Sequence, residues 1–523
     1  MSIAIEASRR GDVRRAAQKT RNNYATFIKA MTARVVPALL AGAALVSAPS
    51  AKADNSTCLP FDMPSSDSVL NSSKKVFAHY FYPLPVSIDN LPAPKDYYTV
   101  NYLSPNGENN KFISAGGLLR ARPVAVAPSG SNYRLINMQR EIGLAIARGV
   151  NGFAFDTMAT SDAASGGALA LMLQAVKAVD NRFKILLMPD MVGLGYDTGK
   201  VMTIVKTIYN DSSLYRLSDG RLVVSPFAAD QVAPSAWASM TATLKSQGYN
   251  IAFIPNLASL AAPYVNQYAP VSAGLGNFGA PGVPDQFDWI VGNAPRVRAS
   301  SAPIFFAGLS PQGYKPQSGM YYEAYNSLGY RNAWAGIIQT NPDMVQVVSW
   351  NDYGESTHIS PAISGSGDAG NGFYNLTGYY TTWWRNGAAP AISRNALYYF
   401  YRRAPAASSA PKQSVSNYNP LSQAAQDKIE VVVFAKAASQ LFVRINGVTT
   451  RTLVPAGMSA YSFPMQPGLP GMDLYSLNGT HLVAVSNRSQ IYSAASGLPS
   501  GVRDLTYWSG GATDAGSCVV TMN

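Results

Sequence analysis

The sequence predicts a (β/α)8 barrel of the TIM type followed by a C-terminal β-sandwich. Three observations carry that expectation. Eight short apolar runs alternate with helix-like stretches through the first three-quarters of the chain. Most of these runs are continuous rather than alternating, as expected of strands covered on both faces. After residues 404–427 the period changes, and short strands joined by Asn446-Gly447 and Asn478-Gly479 turns take over.

Residues 1–53 read as a leader. The apolar run Val35–Val46 follows Arg34 and precedes the small-residue site Ala51-Lys52-Ala53, a signal-peptide pattern cleaved after Ala53. The run is too short to span a bilayer, so no stable membrane insertion is expected after cleavage. The 30 residues before Met31 are basic and long for such a leader, which points to a start at Met31. Arg9-Arg10 lies too far from the apolar run to serve as a twin-arginine signal. A secreted or periplasmic protein follows. In an oxidising compartment Cys58 and Cys518, the two cysteines, can close one bridge between the ends of the mature chain.

Residues 54–403 carry the expected barrel. Its strands are Val76–Phe81, Val150–Asp156, Phe183–Met188, Arg221–Phe227, Tyr249–Pro255, Phe287–Val291, Ile304–Ala307 and Val345–Trp350. Helical spacing marks Met138–Arg148, Ala168–Val179, Lys200–Tyr209, Ala236–Ser246, Met320–Ile338 and Arg394–Tyr401. A doubly wound open sheet would place a glycine-rich phosphate turn after its first strand. Here that strand runs into the long loop Tyr82–Asn137, without GxGxxG. Residues 404–427 are rich in Ala, Ser, Pro and Asn and read as a linker. Residues 428–523 hold the strands Ile429–Phe434, Leu441–Ile445, Ala460–Met465, Met472–Ser476 and Thr480–Val485 of the accessory β-sandwich.

The bulk chemistry narrows the partners. Charged residues make up only 13% of the chain while 30 tyrosines are present, a composition suited to stacking on flat, neutral ligands. The net charge of +12 is concentrated in the leader, where nine Lys/Arg face two Asp/Glu, so about +5 remains for the rest. That weak field, without basic runs interleaved with aromatics, excludes nucleic acid. The three histidines, His79, His358 and His481, have no zinc spacing with the cysteines, so no metal and no cofactor is expected.

Barrel chemistry sits at the C-terminal ends of the strands. His79 ends the first, Asp156 the second, Asp190 follows the third and Asn256 the fifth. The eighth runs into Trp350-Asn351-Asp352-Tyr353-Gly354-Glu355-Ser356, with His358 two residues on. Asp156, Asp190, Asp352 and Glu355 thus converge on one face. Without a basic excess, such carboxylates either bind a metal or do acid–base work on a neutral substrate. Glycosidic cleavage needs one protonated acid at the leaving oxygen and one carboxylate that activates water or attacks. Asp352 and Glu355 are expected to form that pair. Trp350 and Tyr353 offer flat faces, and Gly354 permits a tight bend.

Trp350–Ser356 resembles the WNDYGES segment of glycoside hydrolase family 71, the endo-acting α-1,3-glucanases or mutanases. Val76-Phe77-Ala78-His79 resembles that family's opening strand, Gly152–Asp156 its second, Met344–Ile359 its last, and Ala456–Gly468 part of its C-terminal β domain. The resemblance implies a barrel plus β-sandwich and hydrolysis of α-1,3-glucan with inversion by Asp352 and Glu355. A related endomannosidase family carries two glutamates at this spacing, the second acting as acid. By that analogy Glu355 is the acid and Asp352 the base. Asp156, Asp190, His79, Trp350, Asn351, Tyr353, His358 and Asn256 would then hold the sugar. The chain departs from the fungal pattern where Thr357 precedes His358, where Asp156 stands in place of Asn, and at Tyr80-Phe81. The partner implied is an α-glucan, and the expected state is a monomer. Another polysaccharide linkage, an inactive carbohydrate-binding protein and a metal-dependent hydrolase are the competing readings.

The leader reading predicts a mature chain beginning at Asp54. N-terminal sequencing of exported protein checks it, and a start before residue 50 overturns it.

Overall fold

The computed structural model describes residues 58–279, 286–365, 369–415, 419–420, 424–486 and 488–518; the leader lies outside these. Eight parallel strand segments follow one another: β1 (Lys75–Tyr80), β2 (Gly152–Thr157), β3 (Lys184–Pro189), β4 (Leu222–Val224), β5 (Ile251–Phe253), β6 (Gly274–Asn277), β7 (Ile304–Leu309) and β8 (Met344–Val347). β1 to β5 and β6 to β8 pair with their neighbours in order, and β8 pairs with β1 in the register Lys75↔Met344 to Ala78↔Val347. Ile251–Phe253 forms one edge of the sheet and Asn256–Leu257, just beyond it in sequence, forms the other. The segment between them holds both sides: Ile254 N–H donates to Val224 O at 3.0 Å, and Gly276 N–H to Pro255 O at 3.0 Å. The sheet therefore curls until its edges meet, giving a TIM-like barrel.

A helix follows each strand: α1 (Tyr133–Ile146), α2 (Ala168–Val179), α3 (Thr198–Ile208), α4 (Pro234–Ser246), α5 (Ala262–Tyr268), α6 (Gln286–Arg298), α7 (Leu328–Thr340) and α8 (Gly372–Asn386). Their apolar stripes explain their placement. In α2, Leu169, Met172, Leu173 and Val176 are buried at helical spacing against the outer face of the sheet.

Three elements differ from expectation. The strand expected at Phe287–Val291 belongs to α6, which buries Ile290, Ala294 and Val297 at a spacing of three to four. The sixth strand is instead Gly274–Asn277, whose glycines mask it. A Cβ at Gly274 would lie 2.6 Å from Ile304 of β7, so the neighbouring side chain occupies that space. The helix expected from Met320 begins only at Leu328. Met320–Tyr322 pairs as a hairpin with Gly313–Lys315, and the left-handed residues Tyr325 and Asn326 break the chain between hairpin and helix. Arg394–Tyr401, expected as a helix, contains the strand Ala396–Tyr401. Its apolar residues are continuous because both faces are covered. Ala396, Tyr398 and Phe400 join the barrel's core, while Leu397, Tyr399 and Tyr401 join a second core.

That strand lies at the centre of a five-stranded antiparallel sheet, between Lys428–Ala435 and Trp508–Thr513. A four-stranded antiparallel sheet, Val448–Val454, Ser439–Ile445, Gly471–Ser476 and His481–Ala484, supplies Leu441, Val443, Met472 and Leu474 to the second core. The five-stranded sheet thus packs the barrel on one face and the four-stranded sheet on the other. α8 meets it through Phe373 on Phe400 and Tyr379 on Phe434, both with ring centroids 5.0 Å apart. Cys58 and Cys518 are buried thiols hydrogen-bonded to each other beside this contact.

A buried polar network also joins the two parts. Arg402 Nη2 lies 2.9 Å from Glu323 Oε2 and its Nη1 2.9 Å from the Tyr507 hydroxyl, which donates to Glu323 Oε1 at 2.5 Å. Removing one member of such a pair strands the other charge out of water. Arg402→Met should cost about 3–5 kcal/mol, seen as a lower thermal midpoint, with part of the loss recovered by adding Glu323→Leu. A single variant that melts with the wild type would show that this pair does not hold the parts together.

Candidate active site

β8 ends at Val347, and residues 348–360 form a loop closed on itself. Ser349 N–H donates to Thr357 O at 2.9 Å, Ile359 N–H to Ser349 O at 2.9 Å, and Ser360 N–H to Trp350 O at 3.0 Å. Trp350 N–H donates to His79 O at 2.7 Å, tying the loop to the end of β1. Inside it, Asp352 N–H donates to Ser349 Oγ at 2.8 Å, and Asp352 Oδ1 accepts from Glu355 N–H at 2.9 Å. The left-handed bend falls on Ser356, at φ 57°, rather than on Gly354. A non-glycine residue there stores about 1–3 kcal/mol, held by the surrounding bonds. Thr357, the residue that interrupts the Ser–His pair of the fungal pattern, closes the loop: its Oγ1 is 2.9 Å from Ser349 Oγ.

Asp352 and Glu355 face the strand ends named from the sequence. His79 feels the charges of Asp352, Glu355 and Asp190, and its Nε2 lies 3.2 Å from Asp156 Oδ2. Burial pulls the His79 imidazole down to about 4, leaving it neutral at ordinary pH. Burial with Asp162 nearby raises Asp156 well above the carboxylate range, and burial with Asp156 nearby pushes Asp190 up to about 8. Burial and the neighbouring Glu355 push Asp352 up to about 7. Around them, His79 Nδ1, Asp156 Oδ1, Asp190 Oδ2, Asn256 Oδ1 and Asn277 Nδ2 are buried without hydrogen-bond partners. Proteins rarely leave such atoms unpaired, and a hydroxyl-rich ligand would satisfy both donors and acceptors.

Four sequence-predicted residues serve the scaffold instead. Trp350 is fully buried, donates from Nε1 to Glu141 Oε1 at 3.2 Å, and packs on Phe153. Asn351 is spent on the chain after β1, accepting from Phe81 N–H at 2.8 Å and donating to Leu84 O at 3.0 Å. The Tyr353 hydroxyl bonds Ser360 Oγ at 2.8 Å, and its ring packs on His358 at 4.3 Å. Burial lowers His358 to about 3. These side chains hold the loop; Asp352 and Glu355 are what it presents.

Sequence reasoning missed three aromatics beside these groups and a cation. Phe278 stands 5.0 Å from the His79 ring and 4.6 Å from Phe227, and both phenylalanines are partly exposed. Tyr82, also partly exposed, stacks on Phe155 and bonds Asp162. Lys315, at the end of the hairpin strand Gly313–Lys315, places Nζ 2.5 Å from Glu355 Oε1. The tyrosine richness of the chain was the available signal for Tyr82 and none marked the two phenylalanines. No local pattern distinguished Lys315 from a surface lysine.

A substrate made of hydroxyls and acetals suits neutral donors and acceptors gathered around two carboxyls in different electrostatic settings, and kinship with known sequences agrees: the protein is a glycosidase. More narrowly, the chain belongs to glycosyl hydrolase family 71, whose profile matches residues 126–520. It is 28% identical over 371 residues to glucan endo-1,3-alpha-glucosidase agn1 of Schizosaccharomyces pombe, covering 64% of this chain and 82% of that one. It is 27% identical over 394 residues to the ascus wall endo-1,3-alpha-glucanase of the same yeast, covering 68% and 88%. Among solved structures, the GH99 endo-alpha-mannosidase from Bacteroides thetaiotaomicron superposes with a TM-score of 0.47 at 14% identity, over 60% of this chain and 98% of that one.

The placement of the aromatics predicts a division of effects. Trp350→Phe removes one donor from the buried Glu141 carboxyl and should cost about 1–3 kcal/mol of stability with KM nearly unchanged. Phe278→Ala should raise KM and leave the melting temperature nearly unchanged. Steady-state kinetics with thermal melts check both, and a KM effect confined to Trp350→Phe reverses the assignment.

Proposed function

We propose that the protein is an exported hydrolase of α-1,3-glucosidic bonds within glucan, acting by inversion through Asp352 and Glu355. The observation that carries this reading is the pairing itself. Two carboxyls three residues apart on the β8 loop face a cleft of neutral donors and acceptors, one pushed up to about 7 and the other held by an ammonium. The activities of the two yeast relatives support the linkage.

Inversion requires one carboxyl to protonate the glycosidic oxygen as the C1–O bond breaks. The other takes a proton from a water whose oxygen forms the new bond to C1 from the opposite face. Asp156 and Asp190, both raised toward their neutral forms, donate to and accept from sugar hydroxyls, with His79 and Asn256 beside them. The aromatic rim of Phe278, Phe227 and Tyr82 gives the rings a flat surface.

The same reading covers architecture and compartment. Among the described residues, the two antiparallel sheets form a β-sandwich between residues 428 and 518, joined ahead of the 404–427 linker by the strand Ala396–Tyr401, and the barrel runs from residue 58 up to that strand. The leader carries the chain to the periplasm or the medium, where it acts as a monomer. Cys58 and Cys518, adjacent and buried, become a disulfide there. A free-thiol assay on denatured, unreduced protein should find no titratable thiol; two would remove the bridge.

The central test is a screen of the mature chain on α-1,3-, β-1,3- and mixed α-glucans, with reducing-sugar release expected on the first. Asp352→Asn and Glu355→Gln should each lower kcat by about 10²–10⁴-fold without lowering the melting temperature. If both keep more than about a tenth of wild-type activity, well short of that loss, the chemistry belongs to other residues.

A further inference from the structure

Lys315 occupies a position that the pair alone does not explain. It is largely buried, and its Nζ sits 2.5 Å from Glu355 Oε1. The same hairpin also grips the backbone of its partner: Tyr314 N–H donates to Glu355 O at 2.7 Å. One strand of three residues therefore fixes both the main chain and the side chain of Glu355.

The hairpin is braced from behind by the C-terminal β unit. The Tyr314 hydroxyl donates to Arg503 O at 3.2 Å, and Gln312 exchanges two bonds with the Tyr507 backbone, at 2.7 and 3.4 Å. A lysine held this way is not a surface cation that happens to reach a carboxylate. Burial works most strongly against its ammonium, yet the charges of Glu355, Tyr322 and Asp352 and the hydrogen bond to Glu355 together raise the lysine above its ordinary value.

We propose that Lys315 is a positioning residue that sets the division of labour in the pair, holding Glu355 as the ionised base and leaving the proton donor's part to Asp352. This rests on the glucanase reading above and reverses the order implied by the endomannosidase analogy. The charged and titratable groups that face Glu355 are Lys315 and Tyr322 from the hairpin, Asp352 from its own loop and His79 from β1. Among them Lys315 is the cation at ordinary pH, since His79 is held neutral. Placing a proton on Glu355 means giving up the ammonium contact. Placing it on Asp352 relieves a buried charge beside another carboxylate.

Asp352 gives its proton to the glycosidic oxygen, and the electron pair of the breaking C1–O bond goes to that oxygen. Glu355 takes a proton from the attacking water, whose oxygen forms the new bond to C1. Exchange with solvent afterwards returns one proton to Asp352 and removes one from Glu355.

The experiment is the pH profile of kcat/KM for the full mature chain on a soluble α-1,3-glucan oligosaccharide, with wild type, Lys315→Met and Lys315→Arg. Loss of the ammonium makes Glu355 easier to protonate, so its required ionised form disappears at higher pH. The acid limb of Lys315→Met should move up by about one pH unit or more, with kcat lowered about 10–100-fold and KM changed less than about threefold. Lys315→Arg should return the limb toward wild type. An unmoved profile overturns the proposal, because a purely structural lysine would lower activity equally at every pH. Movement of the alkaline limb instead also overturns it and makes Glu355 the donor. If Lys315→Met melts early, Lys315→Gln replaces it in the same comparison. Retained activity in Asp352→Asn and Glu355→Gln would sink the glucanase assignment itself, whereas full loss there with an unmoved Lys315 profile sinks only the role of the lysine.

Discussion

The site depends on the seam where β8 meets β1. Parallel pairing from Lys75↔Met344 to Ala78↔Val347 brings the end of β8 level with His79. The bond from Trp350 N–H to His79 O carries the contact one step past the strands. Behind it, the Glu141 carboxyl accepts from Tyr80 Oη at 2.6 Å and from Trp350 Nε1 at 3.2 Å, joining α1, β1 and the β8 loop at one buried group. Burial pushes that carboxyl up to about 8, so it stays neutral and bonded rather than charged and stranded. A shift of this seam by one residue would turn the side chains of β1 to the opposite face and take His79 out of the cleft.

Around that seam the protein accepts local costs that a purely structural barrel would avoid. Five polar atoms at the mouth lack partners, three acids are raised by burial, and Ser356 holds a left-handed backbone. An unpaired buried polar atom costs about 1–3 kcal/mol. Such a concentration at one end of the barrel is what a site preorganised for a polar ligand looks like, since the ligand rather than the fold supplies the missing bonds. The rest of the barrel offsets it through a continuous apolar core that runs from β1 to α8.

The antiparallel sheets contribute to chemistry as well as to bulk. The five-stranded sheet is apolar on both faces, so it packs on the barrel as well as on its own partner sheet. From it, the segment 503–508 reaches the hairpin that carries Lys315, and the Arg402–Glu323–Tyr507 network anchors the hairpin's far end. Position is thus passed from the β unit to a side chain that touches Glu355.

The sequence by itself determined the repeating β/α order, the strand ends that bear His79, Asp156, Asp190 and Asn256, and the loop that bears Asp352 and Glu355. These are legible because a strand buried on both faces needs a continuous apolar run, and because the polar residues of a barrel mouth sit where such runs stop. It could not separate Phe287–Val291, an apolar run on a helix, from Gly274–Asn277, a strand thinned to glycine by the side chains of β7. Nor could it tell Ala396–Tyr401 from a helix, since a strand apolar on every residue has no alternation to read. Tertiary structure alone decided that Trp350, Asn351, Tyr353 and His358 brace the loop while Phe278 packs on His79 and Phe227, and Tyr82 on Phe155. Lys315 is the clearest case. Its distance from Glu355 is set by the curl of the barrel and by a β unit nearly 200 residues further along the chain, and no local pattern encodes a contact made through space by two separate loops.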